Sequence, residues 1–295
     1  MIIQRGELSA VWGRIKAAAE ENPDAPTILL LVAHDVDALA ACAILSGLME
    51  KEHLSFKVRS VRDYSEMGDT YVEQIADNPE WRSVILLNCA ASINLMDQFQ
   101  GRLNEADGVD PANPQRDAAA LPHPDCNYYV IDSHRPFDID NLREERVHVV
   151  NDDAPNEDME ELYDQYEILV DSEWEGMSDL DDDHEPPAQR RRLTREECAP
   201  RPPARNSAQF LAPRAIRARN SLTRLSSSYR YAQLSPDSRA DRRAALRRLC
   251  KRYYARTWHG TSSAVLAYSL VQQLNKSANE LLWLAIVGLT DQVVH

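Results

Sequence analysis

Long hydrophobic runs are missing from this 295-residue sequence. The longest unbroken apolar segment covers residues 38–45, whereas a helix that crosses a bilayer needs about 20 apolar residues. The first residues mix polar and apolar side chains and do not form a secretory signal. The sequence therefore argues against an integral membrane protein and against a secreted one.

Cysteine is also scarce. The chain has 5 Cys, and none of them form a CxxC pair. An odd number without paired spacing is not a disulfide framework, and it lacks the ligand spacing of a structural zinc site. Reduced thiols in the cytosol or nucleus fit this usage best.

Charge is abundant but divided along the chain. The formal net charge is −14, yet residues 151–187 contain 16 acidic and no basic side chains, and residues 190–256 contain 19 basic and 4 acidic ones. Such a sign change is not typical of one packed core. We predict a disordered acidic and then Arg-rich insertion over 171–238, either a solvated linker or a contact for nucleic acid or an acidic partner.

The remaining segments predict an α/β fold. Strands are expected at 27–33, 56–61, 83–88, 128–132 and 147–150, with helices at 7–20, 38–50 and 70–76. Alternating strands and helices imply a doubly wound parallel sheet of about five strands. We expect residues 1–170 to form this domain and residues 239–295 to complete it as a helical segment.

Polar residues follow three of the predicted strands. They are His34, Asp35 and Asp37 after the first, Asn88 at the end of the third, and Asp132, Ser133 and His134 after the fourth. Ligands of such sheets lie at the carboxyl ends of the strands, and converging carboxylates and imidazoles are typical of two-metal phosphoryl-transfer sites. The alternative is structural, since Asp at a strand end often caps the next helix or forms a turn.

Several longer segments resemble a known family. These segments are HDVDALAACAIL (34–45), ILLNCAASINLMD (85–97), VIDSHRP (130–136), WHGTSSAVLAYSLVQQLNK (258–276) and LLWLAIVGLTDQ (281–292). They resemble the cell division cycle protein 45 family of eukaryotic replication factors, a branch of the DHH phosphoesterase superfamily that includes RecJ nucleases. The resemblance implies a RecJ-like N-terminal domain with an acidic insertion. It also implies a C-terminal DHHA1-like half, which we expect to be absent here, as in a fragment, a truncated isoform or an incomplete gene model.

The motifs depart from those of an active DHH enzyme. Asp35, Asp37, Asp132, His134 and Asp291 match the superfamily's motif positions, but Asn88 stands where active members have an Asp and Ser133 where they have a His. Neutral Asn and Ser are weak ligands for a divalent ion. We therefore predict a vestigial site with no catalytic residue, no cofactor and no bound metal, whose carboxylates serve as caps and hydrogen-bond partners.

The resemblance further implies what the chain does. It implies a non-catalytic scaffold in the nucleus that joins the MCM hexamer and the GINS complex in the replicative helicase, together with origin-loading factors and DNA at the fork, whether double- or single-stranded. The alternative function is a manganese-dependent single-strand exonuclease or phosphoesterase that uses the five retained motif residues. A third possibility is a truncated product without function.

One helical stripe belongs to the predicted core. Apolar residues at 281, 282, 283, 286 and 287 recur at helical spacing. We expect this stripe to pack on the sheet.

Overall fold

The computed structural model describes residues 1–23, 25–106, 108, 125–152, 236–255 and 257–294. It divides into two compact units, the first comprising Met1–Pro155 and Tyr254–His295 and the second Asn156–Tyr253. Nearly all of the predicted insertion at 171–238 lies outside the described residues, and its boundaries stay a prediction. Among the described residues, no helix is long and apolar enough to cross a membrane.

The first unit is built on a six-stranded parallel sheet, which confirms the predicted fold class. The sheet strands are β1 (Ile2–Ile3), β2 (Ile28–Ala33), β3 (Phe56–Val61), β4 (Ser83–Leu87), β5 (Asn127–Ile131) and β7 (Val147–Val150), in the spatial order β1-β7-β5-β4-β2-β3. A separate antiparallel pair joins β6 (His134–Arg135) to β8 (Trp258–His259). The five predicted strands are present, and the short edge strand β1 was not predicted.

The described residues also form helices, and the helix at Pro236–Tyr254 lies almost entirely in the second unit. The helices are α1 (Leu8–Glu20), α2 (Val36–Lys51), α3 (Tyr64–Thr70), α4 (Leu95–Ala106), α5 (Ile139–Arg143), α6 (Pro236–Tyr254), α7 (Ser263–Gln273) and α8 (Asn279–Val294), with a 3₁₀ turn at Arg5–Glu7. The helix predicted at 70–76 is a π-helical turn, Tyr71–Ile75, that continues α3.

Side chains alternate between the two faces of the sheet. In β2, Ile28, Leu30 and Val32 belong to the core shared with α1, α2, α7 and α8. On the opposite face, Tyr71 stacks on Phe99 of α4 with ring centroids 4.0 Å apart. A central parallel strand is buried on both faces, which explains why β2 reads as an unbroken apolar run.

The predicted packing of the 281–287 stripe on the sheet is wrong. Leu281 is buried, but Leu282, Trp283 and Ile286 are exposed. Helix α8 packs chiefly against α2 and α7, so only a narrow line of its side chains is covered. An apolar stripe shows that a helix has apolar faces but does not say how many of them a neighbour covers.

Candidate functional site

The three polar clusters predicted from the sequence meet at one edge of the sheet. Strands β2, β4 and β5 are neighbours and run parallel, with Val32 beside Leu87 and Leu87 beside Ile131. The residues that follow these strands therefore share one crevice, as expected for a doubly wound sheet. This crevice is the candidate site.

Asn88 links all sides of the crevice. Its Nδ2 donates hydrogen bonds to Asp35 Oδ1 at 3.0 Å and Asp37 Oδ2 at 3.2 Å. Its Oδ1 accepts hydrogen bonds from Ser133 N at 2.9 Å and Ser263 Oγ at 2.6 Å. Asn88 adopts a left-handed backbone with φ of 54°, which Asn tolerates better than most residues. A neutral amide thus fills the space between two carboxylates.

Asp37 is fully engaged by the start of α7. Its Oδ1 accepts hydrogen bonds from Ser262 Oγ at 2.5 Å and Ala264 N at 2.9 Å, and its Oδ2 accepts one from Ser263 N at 2.8 Å. The side chain is 2% exposed. The first N–H groups of a helix lack partners within the helix and carry partial positive charge, so this carboxylate caps α7 rather than its own helix.

Asp35 is the residue that caps α2. Its Oδ1 accepts a hydrogen bond from Ala38 N at 2.7 Å. Desolvation raises the pKa of Asp35 above its ordinary value, although the bonds from Ala38 and Asn88 act in the opposite direction. The carboxylate is therefore held at the rim of the crevice by neutral donors.

Asp132 is also saturated with donors. Its Oδ2 accepts hydrogen bonds from Ala90 N at 3.1 Å and Ala91 N at 2.9 Å. Its Oδ1 lies 2.9 Å from His134 N and 2.7 Å from His134 Nδ1. Desolvation alone would raise the pKa of Asp132, but the bonds from His134 and from Ala91 lower it. The same side-chain bond raises the pKa of His134.

The small β6–β8 sheet forms one wall of the crevice. His134 pairs with His259 across it, and their rings stand edge to face with centroids 5.2 Å apart. Ser133 is 2% exposed, and its carbonyl accepts a hydrogen bond from Gly260 N at 2.7 Å. Ser133 therefore contributes to the crevice through its backbone, whose N–H donates to Asn88 and whose carbonyl accepts from Gly260.

Asp291 lies on α8, three residues after Gly288. A methyl group added at Gly288 would lie 3.4 Å from Asp37 Cα and 2.7 Å from Asp37 Oδ1, so α8 passes close to the crevice at that point. A role for Asp291 with the other motif residues stays a prediction.

The arrangement has little capacity left for a cation. Asp37 and Asp132 each accept four hydrogen bonds from protein donors, and a carboxylate offers about four lone-pair directions. Within the described residues, no group of three or more His, Cys, Asp or Glu side chains could hold a metal ion. A metal-assisted hydrolysis needs open coordination positions and a metal-bound water.

Residue-level reasoning missed the role of the two serines that precede α7. Ser262 and Ser263 are fully buried, and both donate hydrogen bonds into the crevice. Two successive Ser before an apolar helical run are a helix N-terminus signal. This signal predicts that a helix begins at these serines. It does not predict that they bind Asp37, because Asp37 lies 225 residues away in the chain.

The chain was compared with known proteins. The family model described as CDC45 matches residues 28–295. The human cell division control protein 45 homolog is 29% identical over 268 residues, which are 91% of this chain and 38% of the human protein. The Schizosaccharomyces pombe homolog is 26% identical over 296 residues, covering 100% of this chain and 41% of that protein.

A solved structure shares the fold. The crystal structure of CDC45 from Entamoeba histolytica matches with a TM-score of 0.53 and 17% sequence identity, covering 100% of this chain and 34% of that one. The chain spans about two-fifths of the length of the curated relatives it matches.

Proposed function

Because the chain belongs to the CDC45 family, we propose that it is a DNA replication factor that acts through contacts and not through catalysis. It joins the MCM hexamer and the GINS complex in the nucleus, together with origin-loading factors and DNA at the fork. The family match and the names of the cell division control relatives support the replication role.

The position of Asn88 is the observation that carries the non-catalytic part of this proposal. An amide donates hydrogen bonds to both Asp35 and Asp37, where a two-metal site would need anionic oxygens that face cations. Amide donors offset the repulsion between the two carboxylates without any ion. The crevice is thus stable as a hydrogen-bonded junction of α2, α7 and the sheet.

A turnover assay tests the non-catalytic part. Purified chain is incubated with labelled single-stranded DNA and with a small phosphodiester, in Mn²⁺ or Mg²⁺, beside an Asp35→Ala variant. We expect no hydrolysis above that of the variant. Metal-dependent turnover that Asp35→Ala abolishes would instead assign the chain to the manganese-dependent exonucleases or phosphoesterases.

A pull-down tests the partners. The tagged chain is used to capture proteins from an extract of dividing cells, and we expect recovery of MCM and GINS subunits. An unrelated acidic protein with a similar net charge is the matched control, because a formal charge of −14 retains basic proteins without specificity. Equal recovery on the control bait would refute the scaffold role.

A further inference from the structure

The C-terminal part of α6 has two sides of opposite character. Its larger apolar side chains are buried, and they are Leu246, Leu249, Cys250 and Tyr253. Its cationic side chains are all exposed, and they are Arg247, Arg248, Lys251 and Arg252. We define these four cationic residues as the α6 basic patch.

The two sides point in opposite directions around the helix. At about 100° per residue, the centre of the buried line from Leu246 to Tyr253 lies about 180° from the centre of the α6 basic patch. Arg248 and Lys251 are the central pair of the patch, three residues apart on one face. Because the buried apolar side chains fix the orientation of α6, the patch is a defined surface and differs from a solvated run of charge.

Carboxylates do not neutralise the patch. The sequence has no Asp or Glu in residues 242–279. Among the residues that the structure describes, no ion pair joins Arg247, Arg248 or Lys251 to a carboxylate. The net charge of −14 includes −16 from residues 151–187, which leaves +2 for the rest of the chain. Grouped cations without acidic neighbours are typical of a surface that binds a polyanion.

The buried apolar side of α6 argues against two other occupants. A basic amphipathic helix binds a membrane by inserting its apolar side chains, and those of α6 are already buried. Interfaces between folded proteins have an apolar core inside a polar rim, but between Ala244 and Tyr253 the structure exposes no large apolar side chain. The patch therefore binds through charge, which is how a nucleic-acid backbone is bound.

Charge density favours duplex DNA over a single strand. The four cations lie within residues 247–252, a helix length of about 7.5 Å, or about one charge per 2 Å. Duplex DNA has about one negative charge per 1.7 Å of its axis, and each strand has about one per 3.4 Å. Single-strand sites also use aromatic rings for base stacking. In α6, however, Tyr253 is buried and the hydroxyl of the partly exposed Tyr254 accepts a hydrogen bond from Ile139 N at 3.2 Å.

We propose that the α6 basic patch binds the phosphate backbone of duplex DNA without reading the base sequence. Guanidinium groups, three of the four cations here, bind phosphate oxygens through two parallel hydrogen bonds. This inference rests on the proposed contact with DNA at the fork and assigns a surface to it. It does not involve the crevice.

A DNA-binding experiment tests the proposal on the full 295-residue chain. Fluorescence anisotropy is measured with a labelled duplex of about 25 base pairs and mixed sequence, between about 50 and 200 mM NaCl. A single strand of the same length and a labelled poly-Glu peptide are the comparison probes. We expect the duplex to bind most tightly. The slope of log K against log salt concentration should be about −0.9 for each phosphate contact.

Variants locate the binding surface. Arg248→Gln together with Lys251→Gln should weaken duplex binding by about tenfold at low salt and reduce the salt slope by about 1.8, because two phosphate contacts are lost. Arg14→Gln together with Lys51→Gln is the matched control. It removes the same two charges from exposed positions of α1 and α2, and it should leave the slope unchanged. Thermal unfolding of both double variants checks that the fold is intact.

Four results would overturn the proposal. They are no duplex binding at about 50 mM salt, an equal change of slope in the two double variants, tighter binding of the single strand than of the duplex, and tighter binding of poly-Glu than of the duplex. If MCM and GINS subunits are still recovered in the pull-down, any of these results refutes the surface and leaves the replication role standing. Duplex binding through the patch without recovery of those subunits would refute the scaffold role and leave the surface standing.

Discussion

At the scale of single residues, the crevice depends on the difference between an amide and a carboxylate at position 88. Asn88 donates to two carboxylates and accepts from two donors. An Asp has almost the same shape and tolerates the same left-handed backbone, but it cannot donate and it carries a charge. An Asn at position 88 therefore favours a crevice closed by hydrogen bonds within the protein, whereas an Asp would favour a crevice that holds cations.

The Asn88→Asp substitution is predicted to destabilise the chain at neutral pH. It would place a third carboxylate within reach of Asp35 and Asp37 and remove two hydrogen bonds, at a cost of roughly 3 kcal/mol in the free energy of unfolding. Urea denaturation measures this cost. Like charges raise the folded-state pKa of the new Asp, so the loss should shrink as the pH falls and this group binds a proton.

A surface substitution of the same type is the control for that prediction. Asn78→Asp changes a partly exposed residue whose Oδ1 accepts a hydrogen bond from Glu80 N in a solvent-exposed position. Its oxygen can still accept that bond, and water screens the added charge, so we expect a change within about 0.5 kcal/mol. An equal loss in both variants would show that position 88 has no special role.

His148 supplies a pH-dependent prediction. Desolvation lowers its pKa to about 4, with further lowering by the N-terminal ammonium and Arg14, and its ring stacks on Tyr129 at 4.9 Å. In the unfolded chain His148 has an ordinary pKa near 6.5. Between about pH 6.5 and 4 it is therefore protonated in the unfolded chain but neutral in the folded chain. Stability should therefore fall as the pH is lowered through this window.

The variant His148→Phe checks the His148 prediction. Phe keeps an aromatic ring against Tyr129 but cannot take up a proton, so the slope of unfolding free energy against pH between 6.5 and 4 should decrease. Chemical denaturation at several pH values measures this slope. An unchanged slope would mean that other groups cause the acid sensitivity.

Sequence reasoning identified the motif residues but not all of their partners. The alternation of strands and helices predicts that Asp35, Asn88 and Asp132 converge, and the structure brings them together. The sequence does not indicate that Asp37 caps α7, because this contact joins segments separated by the whole insertion. The local sequence predicts where a helix begins, whereas the distant side chain that caps it is determined by tertiary packing.

At the scale of secondary-structure elements, the close approach of α8 to α2 and α7 supports the crevice from outside. Gly288 permits this approach, since a methyl group there would lie 2.6 Å from Ala264 Cβ and 2.7 Å from Asp37 Oδ1. Real side-chain contacts are longer than these distances. The glycine is thus needed for packing, at a position with ordinary helical backbone.

The Gly288→Ala substitution is predicted to destabilise the chain by about 1–3 kcal/mol, because α8 must shift away from α2 and α7. Thermal or urea unfolding measures this effect. Gly101→Ala is the matched control, since Gly101 lies in α4 and an added methyl group meets nothing within 4 Å. Ala is the better helix former, so the control should gain about 0.5–1 kcal/mol. Two substitutions with the same sign would contradict the packing argument.

The elements were predictable to different degrees. The buried strand β2 and the helix that follows it were clear from an apolar run and a stretch of small residues. The π-helical turn at Tyr71–Ile75 was not, because no local signal distinguishes it from an α-helix. The prediction that the α8 stripe packs on the sheet was wrong, because periodicity predicts an apolar helix face but not which neighbour covers it.

At the scale of the whole molecule, the first unit is a six-stranded parallel sheet, and the crevice at its strand ends is a hydrogen-bonded junction. The chain belongs to the CDC45 family and spans about two-fifths of its curated relatives. Its described surface includes an apolar helix face, and its sequence includes acidic and basic segments of opposite sign. These features are typical of a protein that works by binding other molecules.

Thermal unfolding in the presence of metal gives a prediction for the intact chain. A folded-state cation site at 1,000 times its dissociation constant would stabilise the chain by about 4 kcal/mol, which for a chain of this size is a clear rise in Tm. We expect millimolar Mn²⁺ to raise Tm no more than the same concentration of Mg²⁺ does. A rise that is specific to Mn²⁺ and absent in Asp37→Asn would point to a retained site.

The most direct measurement of the central claim is anomalous diffraction from crystals of the chain soaked in Mn²⁺. If protein donors occupy the oxygens of Asp37 and Asp132, the maps should contain no manganese peak between these residues, and Asn88 should keep its hydrogen bonds to both first-motif carboxylates. Two well-occupied manganese ions bridged by Asp37 and Asp132, with the Asn88 side chain displaced, would contradict the account.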